Sequence, residues 1–78
     1  MIEIRIPKMG MSTVEVDVSN VAIKVGDQVT IGQVLAEVEA EKASVEIEAE
    51  HSGVVTGVLA SNGDVRQVGD VICRIEED

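Results

Sequence analysis

The sequence contains no Phe, Tyr or Trp, and only 6 of its residues are Lys or Arg, against 15 Asp and Glu. Proteins that bind single-stranded nucleic acids stack the bases on aromatic side chains. Proteins that bind any nucleic acid contact its phosphates with cationic side chains. A chain with no aromatic ring and a formal net charge of -9 meets neither requirement. The composition therefore argues against nucleic-acid binding and favours basic protein surfaces as partners.

Long apolar runs and a basic leader are also missing. No run approaches the roughly 20 residues that a membrane helix needs, and the opening letters MIEIRIPK do not resemble a secretory signal. We expect a soluble, cytoplasmic protein without membrane contact, or a protein of the mitochondrial matrix or plastid if the source is eukaryotic. The single cysteine, Cys73, cannot form an internal disulfide. Its strand-like surroundings predict a buried, inert thiol.

The apolar content that is present consists mainly of β-branched residues. Fifteen Val and eight Ile stand against two Leu, and β-branched side chains suit a pleated sheet better than a helix. No segment shows a helical period, whereas short alternating runs recur along the chain. We therefore predict an all-β fold forming a single domain over residues 1–78.

A repeat organises these runs. Shifted by 37 positions, GDQVTIGQVLAEVE from Gly26 aligns without a gap on GDVRQVGDVICRIE from Gly63. Gly-Asp pairs are typical of tight turns, and glycine tolerates positive φ. The repeat predicts two half-domains related by a pseudo-twofold axis. Its turn residues are Gly26, Asp27, Gly63 and Asp64, with a further turn at Gly53.

Alternation predicts about eight short strands. The first contains Ile4 and Ile6 and ends at Pro7; the second changes phase near Asn20, which suggests a bulge. The second strand is defined by Val14, Val16 and Val18 and continues through Val21, Ile23 and Val25. Another strand follows Gly53 and contains Val54, Val55, Val58 and Leu59.

The stretch VLAEVEAEKASVEIEAE, residues 34–50, alternates apolar and acidic residues, and the alternation slips once, between Glu41 and Lys42. A continuous strand could not bury both apolar sets, but a two-residue turn at Glu41 and Lys42 could. The predicted hairpin pairs Ala40 with Ala43, Val38 with Val45, Ala36 with Ile47, and Val34 with Ala49. This register presents Lys42 at the tip.

Two interpretations of Lys42 follow from the residues alone. An exposed lysine among solvated glutamates is common on edge strands, where charge discourages aggregation. Alternatively, Lys42 is a site of covalent modification by another enzyme. The surrounding carboxylates favour the charged ammonium, so a role as a free base or Schiff-base former is not expected.

The chain resembles the lipoyl domains of the acyltransferase (E2) subunits of 2-oxo acid dehydrogenase complexes. The resemblance covers the whole chain and rests on IPKMG near the start, the Gly26-Asp27 turn, the EAEKA hairpin and Gly53. The chain departs from the family pattern at Glu41, where the family usually has Asp. That change conserves the charge.

The resemblance implies two four-stranded antiparallel sheets in a flattened β-barrel or sandwich, a barrel-sandwich hybrid, with the lysine hairpin and the termini at opposite ends. It implies that Lys42 is amidated by lipoic acid, through a lipoate-protein ligase or a lipoyl or octanoyl transferase, and that Glu41 and Ala43 flank the attachment site. The domain would then be a carrier without catalytic residues, and it would be monomeric.

The same resemblance implies the partners. The carrier would move acyl groups and reducing equivalents between the thiamine-dependent component (E1), the acyltransferase core (E2) and the flavin-containing component (E3). Recognition by the thiamine-dependent component would involve Met9, Gly10, Met11, Ser12 and Thr13. The segments PKMGM and EKAS favour a pyruvate or acetoin complex over the 2-oxoglutarate complex.

Two rivals stay open. A biotin carrier domain shares the fold and a hairpin lysine, but biotin acceptors favour Met on both sides of that lysine, where this chain has Glu41 and Ala43. A structural or binding β-domain would leave Lys42 unmodified. An enzyme is not expected, because the only histidine, His51, has no partners for a triad or a metal site and is most simply a solvated loop residue.

Overall fold

The Val- and Ile-rich sequence forms short strands joined by tight turns. The computed structural model describes residues 1–8, 15–40 and 43–78. Within these ranges there are eight strands: β1 (Ile2–Arg5), β2 (Glu15–Val21), β3 (Gln28–Val29), β4 (Val34–Ala40), β5 (Ala43–Glu48), β6 (Gly53–Val58), β7 (Val65–Gln67) and β8 (Val71–Glu77).

The strands make two antiparallel sheets of four. One has the order β1-β8-β6-β3 and the other β5-β4-β2-β7, and every pair of neighbours is antiparallel. The predicted all-β architecture is confirmed. Across the described ranges no helix is long and apolar enough to cross a membrane.

One face of each sheet is buried against the other. Along β2, Val16 and Val18 are buried while Glu15 and Asp17 are exposed, as a period of two requires. The bulge predicted near Asn20 is present, because the β2–β4 register shifts between Val18 and Asn20. The core is built of small and β-branched residues: Ile4, Ile6, Val16, Val18, Ile23, Val29, Leu35, Ala36, Val38, Ile47, Ala49, Val55, Ala60, Ile72, Cys73 and Ile75.

The repeat in the sequence is matched by a repeat in the backbone hydrogen bonds. Gly26 and Gly63 have φ of 96° and 87°, so both turns require a conformation that L side chains rarely adopt. Gly26 N–H donates to Val55 O at 2.8 Å, and Gly63 N–H donates to Val18 O at the same distance. Since Val18 and Val55 are themselves 37 positions apart, the two halves have the same connections, and the pseudo-twofold symmetry is visible in the structure.

The turn aspartates repeat in the same way. Lys24 N–H donates to Asp27 Oδ2 at 3.0 Å, and Ser61 N–H donates to Asp64 Oδ2 at 2.9 Å. Each carboxylate thereby accepts a hydrogen bond from the backbone N–H three residues earlier and closes the turn. Asp64 differs in one respect, since Arg66 Nη2 also donates to its Oδ2 at 3.1 Å.

Gly53 lies in a strand and not in the turn that the sequence suggested. It is the first residue of β6 and is buried. A Cβ on Gly53 would collide with the carbonyl oxygen of Glu76 on β8 and would lie 2.8 Å from Ile75 Cγ2. Glycine is therefore required by the close approach of β6 and β8.

Replacing Gly53 with Ala should destabilise the domain by about 2 kcal/mol or more, because the backbone of β8 must move to make room. The matched control is Gly57→Ala in the same strand, where the nearest atom to an added Cβ is Arg74 Cβ at 4.0 Å. That variant should change stability by less than about 0.5 kcal/mol. Urea unfolding of the two variants measures both, and equal losses would contradict the steric account.

The hydrogen bond from Ser61 N–H, and then that from Arg66, hold the pKa of Asp64 below its ordinary value of 3.8. A lowered folded pKa adds stability above the unfolded value, and this stability is lost as the pH falls through the folded pKa.

Wild type should therefore melt at a higher temperature than Asp64→Asn near neutral pH. The difference should shrink as the pH falls to 3.8 and below, because Asp64 is half protonated in the unfolded chain at pH 3.8. Thermal unfolding of both proteins from about pH 7 to about pH 2 tests this. A difference that stays constant over the whole range would refute it.

Candidate functional site

The β4–β5 hairpin has the register that alternation predicted over its outer part. Ala40 pairs with Ala43, Val38 with Val45, and Ala36 with Ile47. Because Ala40 ends β4 and Ala43 begins β5, the chain between the two strands consists of Glu41 and Lys42 alone. The structure thus reduces the connection to the two residues that the sequence singled out.

The far end of the hairpin departs from the prediction. Val34 pairs with Glu48 and not with Ala49, because the register shifts between Val34 and Ala36. Ala49 N–H instead donates to Gln33 O at 2.9 Å. The physical reason is the irregularity at Leu35, which lets Leu35 and Ala36 both reach the core, where they are 0% and 1% exposed.

The outer face of the hairpin sheet is strongly acidic. Glu37 on β4 pairs with Glu46 on β5, and Glu39 pairs with Asp17 on β2. Like charges directly opposite each other are destabilising, and the ion pairs found among the described residues involve other carboxylates. This face therefore creates a negative potential around the base of the hairpin.

Most of the predicted site residues lie outside the described ranges. These are Glu41 and Lys42, and the whole segment predicted to contact the thiamine-dependent component, namely Met9, Gly10, Met11, Ser12 and Thr13. Ala43 is described, and it is exposed at the first position of β5. Ala40 and Ala43, which flank the two-residue connection, both have small side chains.

His51 lies in the loop between β5 and β6, as predicted, but it also has a side-chain partner. Its Nδ1 lies 2.8 Å from Glu77 Oε2 on β8, and the ring is half-buried. Next to it, Asp78 N–H donates to Ser52 O at 3.1 Å. These contacts join residues about 26 positions apart in the sequence, and no local sequence pattern signals them. They tie the end of β8 to the β5–β6 connection.

Cys73 is buried in β8, as predicted. Its neighbours across the sheet are Ile4 and Val58. Burial among apolar groups disfavours the thiolate and raises the pKa of the Cys73 thiol to about 11.

The described part of the chain brings together no group of three or more His, Cys, Asp or Glu side chains that could hold a metal ion. The glutamates alternate along strands at exposed positions, whereas calcium ligands converge in a loop.

Residues 2–75 match the family that comprises biotin- and lipoyl-attachment domains, described as "Biotin-requiring enzyme". The match covers both sheets and includes Lys42 between the two strands of the hairpin. The chain therefore belongs to the biotinyl/lipoyl-attachment family.

Curated relatives narrow the class to lipoyl domains. The chain is 40% identical over 77 residues to the dihydrolipoyllysine-residue succinyltransferase component of the 2-oxoglutarate dehydrogenase complex of Bacillus subtilis. It is 39% identical over 75 residues to the dihydrolipoyllysine-residue acetyltransferase component of the pyruvate dehydrogenase complex of Haemophilus influenzae. The matches cover 99% and 96% of this chain but only 18% and 13% of those proteins.

A solved structure agrees with this class. The lipoyl domain of the 2-oxoglutarate dehydrogenase complex of Azotobacter vinelandii superimposes with a TM-score of 0.81 at 25% identity, covering 99% of this chain and 98% of that one. The fold is therefore that of a lipoyl domain of an acyltransferase component of 2-oxo acid dehydrogenase complexes.

A raised pKa and burial predict that the native Cys73 thiol reacts slowly. At about pH 8 iodoacetamide should modify the folded protein at least about a hundred-fold more slowly than the unfolded protein, because so little thiolate is present and accessible. Intact mass after timed quenching measures both rates. Rates within a few-fold of each other would show that Cys73 is exposed in solution.

Proposed function

We propose that this chain is a lipoyl carrier domain in which Lys42 is amidated by lipoic acid. The observation that carries the proposal is the Ala40–Ala43 pair, which ends the regularly paired outer part of the hairpin and leaves Glu41 and Lys42 as its connection. A modifying enzyme must reach the lysine amine from outside, and the small side chains at the base of the connection leave room for it.

The arrangement suits a carrier. Two sheets share a single buried core beneath the hairpin, so the attachment point has a firm base, while a lysine side chain extended by lipoic acid supplies a long flexible arm. Tethering raises the local concentration of the carried group at each site that the arm reaches. Lipoic acid supplies the dithiolane that accepts acyl groups and electrons; the chain's own residues hold and present it.

The partners follow from the carrier role. We propose that the domain serves the thiamine-dependent, acyltransferase and flavin-containing components of a 2-oxo acid dehydrogenase complex. The acidic outer face of β2, β4 and β5 provides a charge pattern that basic partner surfaces can recognise. We propose the segment 9–13 as a second contact with the thiamine-dependent component, on the basis of the family resemblance.

Within this class we propose a pyruvate or acetoin complex, on the segments PKMGM and EKAS. Relatives named for 2-oxoglutarate and for pyruvate complexes match at 40% and 39% identity. Overall similarity therefore does not choose between the two substrates.

Biotinylation is the second candidate, because the matching family also includes biotin-dependent enzymes. The flanking residues argue against it. Biotin acceptors favour methionine on both sides of the lysine, and this chain has Glu41 and Ala43 there.

The experiment that tests the proposal is enzymatic modification of the purified domain. We expect a lipoate-protein ligase with ATP and lipoic acid to add one lipoyl group to wild type and none to Lys42→Arg, while Lys24→Arg behaves as wild type. A biotin-protein ligase with biotin should add nothing. Intact mass measures each reaction.

A matched control keeps composition and charge constant. The double variant Glu41→Lys/Lys42→Glu moves the lysine to the other central position of the connection, and modification should fall at least about tenfold if position controls presentation. Biotin on wild type would replace the lipoyl proposal with the biotin candidate. A folded wild type that neither enzyme modifies would leave the domain with a structural or binding role.

A further inference from the structure

The two sheets leave an open cleft along one side. It has a volume of about 700 Å³ and lies between β1 and β5, which are edge strands of different sheets. No Cα atom of β1 lies within 8 Å of a Cα atom of β5, so the two edges do not pair with each other. Stacked sheets lie roughly 10 Å apart, about twice the spacing of neighbouring strands.

The cleft has an apolar floor. Ile4 and Ile47 line it and are 8% and 5% exposed, and Ile2 lies beside them, half-buried. Ile31 forms part of the rim and is 71% exposed, although it is a large apolar side chain. Apolar surface is therefore available both inside the cleft and at its mouth.

Backbone groups on β5 point into this space. Ala49 exchanges hydrogen bonds with the β4 side, donating to Gln33 O and accepting from Gly32 N–H. Hydrogen-bonding direction alternates along an edge strand, so Glu46 and Glu48 turn their N–H and C=O groups away from β4. Among the described residues no backbone or side-chain group bonds to these four polar atoms.

The charge of the lining is strongly negative. Glu3, Glu46, Glu48 and Glu50 contribute carboxylates, and Arg5 is the one Lys or Arg residue found among the lining residues that the structure describes. Arg5 is already engaged, since its Nη2 lies 3.0 Å from Glu3 Oε1 and its Nη1 donates to Gly69 O at 2.8 Å. Glu46 and Glu48 on β5, and Glu50 just after it, are left to attract cations.

We propose that the cleft binds an extended, basic segment of a partner protein, which adds as a strand to the free edge of β5. Main-chain hydrogen bonds to Glu46 and Glu48 would hold the segment, alternate apolar side chains would contact the isoleucine floor, and Lys or Arg side chains would face the β5 carboxylates. This is recognition by strand addition. A second copy of this chain is disfavoured as occupant, because each copy has a net charge of -9.

The probe is a fluorescein-labelled peptide of alternating Lys and Val, with an alternating Glu and Val peptide as its control. We expect fluorescence anisotropy to show binding of the Lys-Val peptide alone, weakening as salt is added. In the NMR spectrum, the backbone amide signals of β1 and β5 should change their chemical shifts when the peptide is added. Changes confined to β2 and β4, around Asp17 and Glu39, would overturn the proposal.

Two double variants distinguish the effect of charge in the cleft on peptide binding from the effect of charge elsewhere. Glu46→Gln/Glu48→Gln removes two carboxylates on edge strand β5, which lines the cleft, and Asp17→Asn/Glu39→Gln removes two on the inner strands β2 and β4 of the same acidic face. The first should weaken binding about tenfold and the second less than about threefold. Equal effects would mean that the peptide recognises net charge and not the cleft.

Strand pairing is separated from charge at Glu48. Glu48→Pro removes the outward N–H, which an edge strand tolerates, and Glu48→Ala removes the same charge but keeps the N–H. The proline variant should bind about tenfold more weakly than the alanine variant, which is the loss expected for one or two main-chain hydrogen bonds. Equal affinities would rule out strand addition.

A second measurement covers the case in which the proline variant does not fold. A Lys-Val peptide that is N-methylated at alternate residues has the same charge and cannot donate along one edge. It should bind wild type about tenfold more weakly than the unmodified peptide when the methylated edge faces β5. Unchanged affinity for both methylation phases would refute the pairing.

Discussion

Burial of one face of each sheet against the other is the constraint on which this structure depends. The chain has no aromatic residue to fill a core, so small and β-branched side chains must pack over the full area of both sheets. A one-residue slip in any strand would turn its apolar side chains to solvent. The register of the β4–β5 hairpin is fixed in this way, and with it the identity of the two residues that connect the strands.

The pseudo-twofold symmetry shows what is particular about that connection. The shift of 37 residues relates β4 to β8, and a shift of 43 relates Ala49 to Ile6, which makes the corresponding hydrogen bonds with Gly69 and Asp70. In this way β5 corresponds to β1. The place that β4 and β5 fill with a two-residue connection is therefore filled, in the other half, by the two chain termini.

The sequence predicts the elements whose causes are local. Alternation located the strands and the bulge near Asn20, the glycine repeat located the turns, and the phase change after Ala40 located the hairpin connection. It did not predict the irregularity at Leu35, which arises from packing Leu35 and Ala36 into the same core. It also missed the strand position of Gly53, which depends on the carbonyl of Glu76 in a distant strand.

The pairing of His51 with Glu77 and the cleft between β1 and β5 were missed for the same reason. Both are formed by segments that are far apart in the sequence, so no local sequence pattern predicts them. For the proposed attachment site the sequence carries more than the structure does. Lys42 is proposed from the sequence pattern and the family, while the structure contributes the register of Ala40 and Ala43 on either side of it.

The most direct test of the account is peptide mass mapping of the protein purified from the cells that make it. The account predicts that the peptide containing Lys42 carries one lipoyl group, while those containing Lys8 and Lys24 are unmodified. Biotin on Lys42, or a Lys42 peptide that is wholly unmodified in cells with an active lipoylation pathway, would contradict it.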